Sequence, residues 1–277
     1  MVERNVILTG LQRSGTTLAC HLLNKLPDTV ALHEPMKVAR LFAMSSGAER
    51  VEEIRRFFGS TRRSILAGGT AVSKNVDGLV PDNHMSPAAV EDGLRKDLAT
   101  LGTITIGKSL DSDFMLVLKH PAAFTALVKD LARNFPCYAV VRNPLAVIAS
   151  WNSIDMPAGR GRVPAAERID GKLKRELGRL GDPGDRQVHI ADWFFRQYLE
   201  YLPAGSIIFY EDIVSSGGRA LKEINGLAGR LDEKLVSKNR NPVYRQDLIR
   251  RMGEKLLKAD GAFWQFYSRQ SVEELLA

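Results

Sequence analysis

The sequence predicts an α/β fold in three layers, with a central parallel β-sheet of about five strands flanked by helices. Short apolar runs rich in β-branched residues recur along the chain and alternate with segments of helical period, as strands buried on both faces do. The first of these runs passes through a glycine-bounded turn straight into a helical pattern, the layout of a phosphate-binding loop. The composition, 44% hydrophobic over 277 residues, supports a core large enough for such a sheet.

In chain order, strands are expected at 5–10 (NVILTG), 29–34 (TVALHE), 114–119 (FMLVLK), 137–142 (CYAVVR) and 206–211 (SIIFYE). Helices are expected at 16–26, at 121–134 with Pro121 in its first turn, and at 144–153 with Asn143 as cap and Pro144 as first residue. Further helices should cover 187–202, 212–229 and much of the C-terminal third. Residues 36–112 break the rhythm, mixing an amphipathic helix (RVEEIRRFF) with a Gly/Asp/Pro-rich stretch (NVDGLVPDNHMSPAA). The chain is therefore expected to be one domain, 1–277, in which 36–112 is an insertion that forms a lid or acceptor pocket. SIDMPAGRGRVP, within 153–164, is a second candidate lid.

No window approaches the roughly 18 uninterrupted apolar residues of a membrane span, and the first residues do not resemble a secretory leader. A soluble, cytoplasmic protein is expected. Cys20 and Cys137 both sit in apolar surroundings and read as reduced core thiols rather than a disulfide or a metal site. The net charge of +7 and pI near 9.5 admit an anionic partner. The basic clusters at 159–168, 172–179 and 239–258 lack the aromatic interleaving of a nucleic-acid platform, so no nucleic acid is expected.

From Gly10 the loop reads G-L-Q-R-S-G-T-T: both glycines of the phosphate-loop pattern are present, but Thr16 stands where the lysine belongs. The parts of an anion cradle remain, namely the N–H groups of residues 13–17 at a helix N-terminus, the hydroxyls of Thr16 and Thr17, and the cation of Arg13. The lysine that grips the outer phosphates of a nucleoside triphosphate is lost. A shorter tetrahedral anion fits better. Arg142, at the C-terminal end of a strand, points into the crevice where doubly wound sheets bind ligands, and its fork suits a phosphate. Ser150, eight residues on, lies two turns into the next helix and can offer its hydroxyl to the same anion.

RSGTTLACHLLNKLPDTVALHEP resembles the 5′-phosphosulfate loop of sulfotransferases that use 3′-phosphoadenosine 5′-phosphosulfate (PAPS). The likeness is greatest to the carbohydrate and protein-tyrosine branches, in which arginine replaces the lysine of the cytosolic small-molecule branch. YAVVRNPLAVIASW is similar to the family's 3′-phosphate site, with Arg142 and Ser150 at the family's spacing. The two motifs cover about 40 residues and stand in the family's order and structural context.

The resemblance implies transfer of a sulfuryl group from PAPS to an acceptor hydroxyl, with 3′-phosphoadenosine 5′-phosphate (PAP) as product and no metal required. It implies that Arg13, Ser14, Gly15, Thr16, Thr17, Arg142, Ser150 and Tyr210 bind the nucleotide, Tyr210 through the Tyr-Glu element in IIFYEDIV. Glu34 is the implied general base: it follows Arg13 by 21 residues, as in the protein-tyrosine branch, and L-x-E-P resembles a stretch of the carbohydrate branch. At the edge of a buried strand, desolvation would raise its pKa. His120, beside Lys119 in LVLKHP, is the second candidate base, and Lys119 the group that would offset charge on the bridging oxygen. His33 adjoins Glu34 but should point to the other side of the strand, as a structural residue.

The family's late R-K-G-x-x-G-x-x-K segment has no match here, which leaves Lys238, Arg240 and Arg245 as possible substitutes. The implied acceptor is a carbohydrate or glycoconjugate, with glycolipid, peptide and small-molecule hydroxyls also open. Two other readings stand beside this one. A phosphate-loop kinase or NTPase would use Glu211 or Asp212 for Mg²⁺ but lacks the loop lysine, and a degenerate loop could serve a non-catalytic nucleotide-binding protein.

Overall fold

A computed structural model describes residues 4–87 and 93–277; residues 1–3, and 88–92 of the expected insertion, lie outside the described residues. The strands are β1 (Asn5–Gly10), β2 (Thr29–His33), β3 (Thr70–Asn75), β4 (Thr100–Thr105), β5 (Met115–Lys119), β6 (Cys137–Val141) and β7 (Ile207–Phe209). Five of them form one sheet in the order β2-β5-β1-β6-β7, parallel at every pairing. These are the five expected strands. Buried apolar side chains fill both faces, with Ile7, Leu8, Leu32, Leu116, Val117 and Val140 essentially inaccessible. That dryness is why each strand reads as a continuous apolar run.

The register explains where function can sit. Leu8 lies beside Lys119, Gly10 beside Val140, and His33 beside Lys119, so β1, β2, β5 and β6 all finish at one edge. The residues that leave those strands, Arg13, Glu34, Lys119 and Arg142, therefore share the crevice at the carboxyl ends of the sheet.

Several helices differ from expectation for local reasons. The first spans Thr16–Leu23 rather than 16–26, because the Asn24 side chain clamps Ala31, accepting from its N–H (2.7 Å) and donating to its carbonyl (2.8 Å). The expected 121–134 helix is two, Pro121–Ala126 and Val128–Leu131, broken at Leu127. The 212–229 helix is not formed. Residues Tyr210–Ser215 are helical, and then Gly217 and Gly218 take φ of +62° and +97°, where an α-helix cannot continue. The last strand correspondingly stops at Phe209, with Tyr210 opening the helix. The Pro144–Trp151 helix starts as expected, Asn143 accepting from the N–H groups of Leu145 and Ala146.

The 36–112 segment holds a 22-residue helix, Gly47–Gly68, with a Ser46/Glu49 capping box. It also holds an antiparallel pair, β3 and β4, that was not anticipated. Its strands lie too far apart in the sequence for a hairpin signature, so no turn residue marked them. Ser73 Oγ accepts from the His33 N–H (3.0 Å), which ties β3 to the end of β2. Among the described residues, no helix is long and apolar enough to cross a membrane. Cys20 and Cys137 are buried free thiols whose pKa burial pushes up to about 12.

Candidate active site at the strand ends

The turn after β1 is built on two glycines that no other residue could replace. Gly10 has φ +150°, and a Cβ there would lie 2.4 Å from the Val140 carbonyl; Gly15 has φ +97°, and a Cβ there would lie 2.6 Å from the Tyr210 ring. Ser14 donates its hydroxyl to the Val140 carbonyl (2.7 Å) and its N–H to the Leu11 carbonyl (3.1 Å). Both of its donors thus shape the loop. The helix Thr16–Leu23 has no side-chain cap, and its first bond runs from Ala19 N–H to the Gly15 carbonyl (2.9 Å). The N–H groups of Thr16, Thr17 and Leu18 therefore lack a helical carbonyl and present the positive end of the helix.

Arg13 stands in the left-handed region (φ +72°), as does Glu34 (φ +46°). Non-glycine residues there cost free energy and concentrate at functional sites. Arg13 donates from Nε to Ser150 Oγ (3.2 Å) and from Nη2 to Asn83 Oδ1 (3.2 Å). Its pKa falls to about 10 through burial, with Arg95 and Arg142 adding repulsion. Arg142, buried, donates to the Arg13 carbonyl (3.0 Å), to Asn239 Oδ1 (2.8 Å) and toward the Tyr244 hydroxyl (3.5 Å), and lies over the Tyr210 ring at 4.6 Å. Arg13, Arg142, Ser150 and Tyr210 thus form one contiguous cluster around the loop. Tyr210 fills the space that the missing Gly15 side chain leaves, and its hydroxyl accepts from the Lys238 N–H (2.9 Å).

Glu34 is placed by backbone first. Its N–H donates to the Lys119 carbonyl (2.8 Å), one rung beyond β2, and the positive φ then turns the chain away. The carboxylate lies between two ammonium groups, Lys119 Nζ at 3.0 Å from Oε1 and Lys74 Nζ at 2.8 Å from Oε2. Burial alone would raise the Glu34 pKa, as the sequence suggested. Lys119, the His33 ring and Lys74 outweigh it and hold the group well below its usual 4.5.

The histidines differ in what they leave free. His120 Nε2 accepts from the Met36 N–H (3.0 Å) and its ring packs edge-on against Phe124, with burial lowering its pKa to about 3. Its lone pair is occupied by the backbone. His33 is fully buried, yet its Nε2 lies 3.6 Å from Glu34 Oε1, so it faces the carboxylate rather than the opposite side of the strand. Burial, then Lys119, lowers it to about 4. His84 packs on His33 with ring centroids 4.9 Å apart and brings Nδ1 to 3.4 Å from the Thr17 hydroxyl.

Arg13, Gly15, Thr16, Thr17, Glu34, His84, Lys119, Arg142 and Tyr210 line one cleft of about 530 Å³, of the size that holds a nucleotide-scale ligand, whereas Ser14, His33, His120 and Ser150 are buried and do not line it. Its outer wall comes from the insertion (Lys74, Asn83, His84, Arg95) and from residues 154–157 after the Pro144–Trp151 helix. Among the expected substitutes, Lys238 lines it, whereas Arg245 pairs with Asp247 at the surface and Arg240 donates to the Glu274 carbonyl. Their neutral neighbours Asn239 and Tyr244 bond Arg142 instead. Lys74, His84, Arg95, Asn239 and Tyr244 went unnoticed in the sequence because no motif or spacing marks them. Glu211 accepts from the Asn143 N–H (3.1 Å), Asn239 (2.9 Å) and Tyr267 (2.8 Å), which commits both carboxylate oxygens to the protein.

No family model and no curated protein matches the chain. Among solved structures it is similar to the sulfotransferase domain of the olefin synthase from Synechococcus PCC 7002, at 13% identity over 99% of this chain and 93% of that one, with a TM-score of 0.39. It is also similar to sulfotransferase STF9 from Mycobacterium avium, at 16% identity over 99% and 75%, with a TM-score of 0.36. A third similar structure is sulfotransferase STF1 from Mycobacterium tuberculosis H37Rv, at 14% identity over 100% and 77%, with a TM-score of 0.36.

Proposed function

We propose that the chain is a PAPS-dependent sulfotransferase acting on an acceptor hydroxyl, with a carbohydrate or glycoconjugate as the acceptor class. The observation that carries this reading is the arrangement of charge at the strand ends. An uncapped helix N-terminus and a buried arginine–serine pair flank a cleft whose inner wall holds a carboxylate between two lysines. A nucleotide with separated anionic groups matches the first two features, and the third is what transfer to a hydroxyl requires.

The donor supplies a sulfuryl group whose bond to the 5′-phosphate breaks as the acceptor oxygen bonds to sulfur. The amides of Thr16, Thr17 and Leu18 would bind its 5′ end, and Arg142 with Ser150 its 3′-phosphate. Arg13, bonded to Ser150 and rooted in the loop, joins the two ends. Lys119 would offset charge on the departing phosphate oxygen. Glu34 would take the acceptor proton, and it favours this role over His120 because the His120 lone pair already accepts from the backbone. A carboxylate held this low is a weak base, so the pull of Lys119 toward the departing oxygen also raises Glu34 when it is needed. The sulfuryl group carries less charge than a phosphoryl group, so the proposed chemistry needs no metal.

What supports a sugar acceptor is the polar outer wall of the cleft, to which Asp82, Asn83 and Asp97 contribute oxygens able to accept from sugar hydroxyls. The phosphotransferase reading is disfavoured by Thr16 in the lysine position and by the committed oxygens of Glu211. The test is a pair of measurements on the intact chain. PAP should raise the melting midpoint while ATP does not, and label from PAP³⁵S should pass to a glycan hydroxyl. Stabilisation by ATP with none by PAP would overturn the proposal.

A further inference from the structure

The cleft contains a third arginine whose position neither the loop motif nor the strand-end motif accounts for. Arg95, on the insertion, is 3% exposed. Its N–H donates to the Ser153 carbonyl (2.9 Å) and its Nη2 to Ser153 Oγ (2.7 Å), while Ser153 Oγ donates to the Ser150 carbonyl (2.9 Å). This strap lays the insertion against the end of the helix that carries Ser150. The Arg95 Nε has no hydrogen-bond partner among the described residues.

Arg13, Arg95 and Arg142 converge on one phenol. Tyr244 is 4% exposed; its hydroxyl lies 3.5 Å from Arg142 Nη2, and Arg95, Arg142 and Arg13 all act on it electrostatically. Among the described residues, every side-chain hydrogen-bond partner of the three guanidinium groups is neutral: Ser150 and Asn83 for Arg13, Asn239 and Tyr244 for Arg142, and Ser153 for Arg95. Among the described residues, the exposed Asp97 opposes this charge, through its attraction on Arg13; Arg95 and Arg142 are buried, and like charges this poorly compensated favour a bound anion. The phenol itself responds. Burial raises the Tyr244 pKa, but Arg142, Ser150 and Arg13 outweigh it and bring it below its ordinary 10.

We infer that Arg95 is the third guanidinium of a phosphate-monoester site, through which the insertion closes over the 3′-phosphate of the donor nucleotide. The inference rests on the proposed function and takes the place of the late basic segment that the chain lacks. A phosphate monoester carries nearly two negative charges at neutral pH, which a cluster of this charge suits better than a singly charged phosphodiester or sulfate ester. The free Nε and the forked geometry of arginine supply donors of the required kind.

The experiment compares PAP with adenosine 5′-monophosphate, which lacks the 3′-phosphate, by isothermal titration against wild type, Arg95→Met and Arg95→Lys. Wild type should prefer PAP. Arg95→Met should weaken PAP roughly ten- to a hundredfold, the range for one lost charge-assisted bond, and leave the monophosphate unchanged. Arg95→Lys should recover part of the loss. The melting midpoint of the ligand-free Arg95→Met protein should hold or rise, since a buried unpaired charge has been removed. Equal weakening of both nucleotides, unchanged PAP affinity, or a fall in the ligand-free midpoint would overturn the inference and make Arg95 a purely structural strap. Wild type that binds neither nucleotide would instead remove the proposed function on which it stands.

Discussion

Glu34→Gln should lower kcat by about 10²- to 10⁴-fold, the usual worth of a positioned general base, and leave PAP affinity within a small factor of wild type. The amide keeps the volume and, through its carbonyl oxygen, one of the two lysine hydrogen bonds, but its NH2 cannot accept from the other ammonium and the group cannot take up a proton. The pH profile gives the sign. Glu34 is held well below 4.5 in the free protein, so the acid limb of kcat/KM should lie below the ordinary carboxylate range. A group depressed in this way contributes stability above its unfolded pKa, and that contribution is lost as pH falls through the folded value. In kcat the limb should move upward, because Lys119 is then engaged by the donor. Normal turnover of Glu34→Gln together with loss of activity in His120→Ala would transfer the base to His120.

Arg13→Ala should reduce kcat/KM by about 10²- to 10³-fold, in line with the removal of a preorganised donor from a charge-stabilising site, with most of the loss visible as weaker PAP binding in titration. Arg13 is where the two halves of the site meet. Its backbone carbonyl accepts from Arg142, and its side chain bonds Ser150 and Asn83. Alanine leaves the carbonyl in place, so the loop and Arg142 should stay put and the melting midpoint should change little. A variant that bound PAP as tightly as wild type would show that Arg13 only packs the loop.

The parts of this structure that were legible in the sequence are those written locally. A strand buried on both faces is a run of apolar residues, and a glycine that must approach a carbonyl or a ring leaves a glycine at that position. For this reason the five sheet strands, the turn at Gly10–Gly15 and the Asn143–Pro144 helix start were readable. Arg13, Glu34, Lys119 and Arg142 were readable because each lies at or just beyond a strand end. Contacts that close over long stretches of chain were not readable. Lys74 reaches Glu34 from a strand with no hairpin signal, and Arg95 reaches Ser153 across 58 residues. The Glu34 pKa came out opposite in sign for the same reason: desolvation follows from a buried strand end, whereas two lysines arriving from β3 and β5 do not. The helical pattern over 212–229 is interrupted by Gly217 and Gly218, whose left-handed φ ends the helix after Ser215.

The most direct measurement is a crystal structure of the chain soaked with PAP. The account predicts the 5′-phosphate on the amides of Thr16, Thr17 and Leu18, and the 3′-phosphate between Arg142 and Ser150, with one nucleotide spanning both. Both phosphates gathered at one end, or a nucleotide bound with Arg142 and Ser150 untouched, would contradict it.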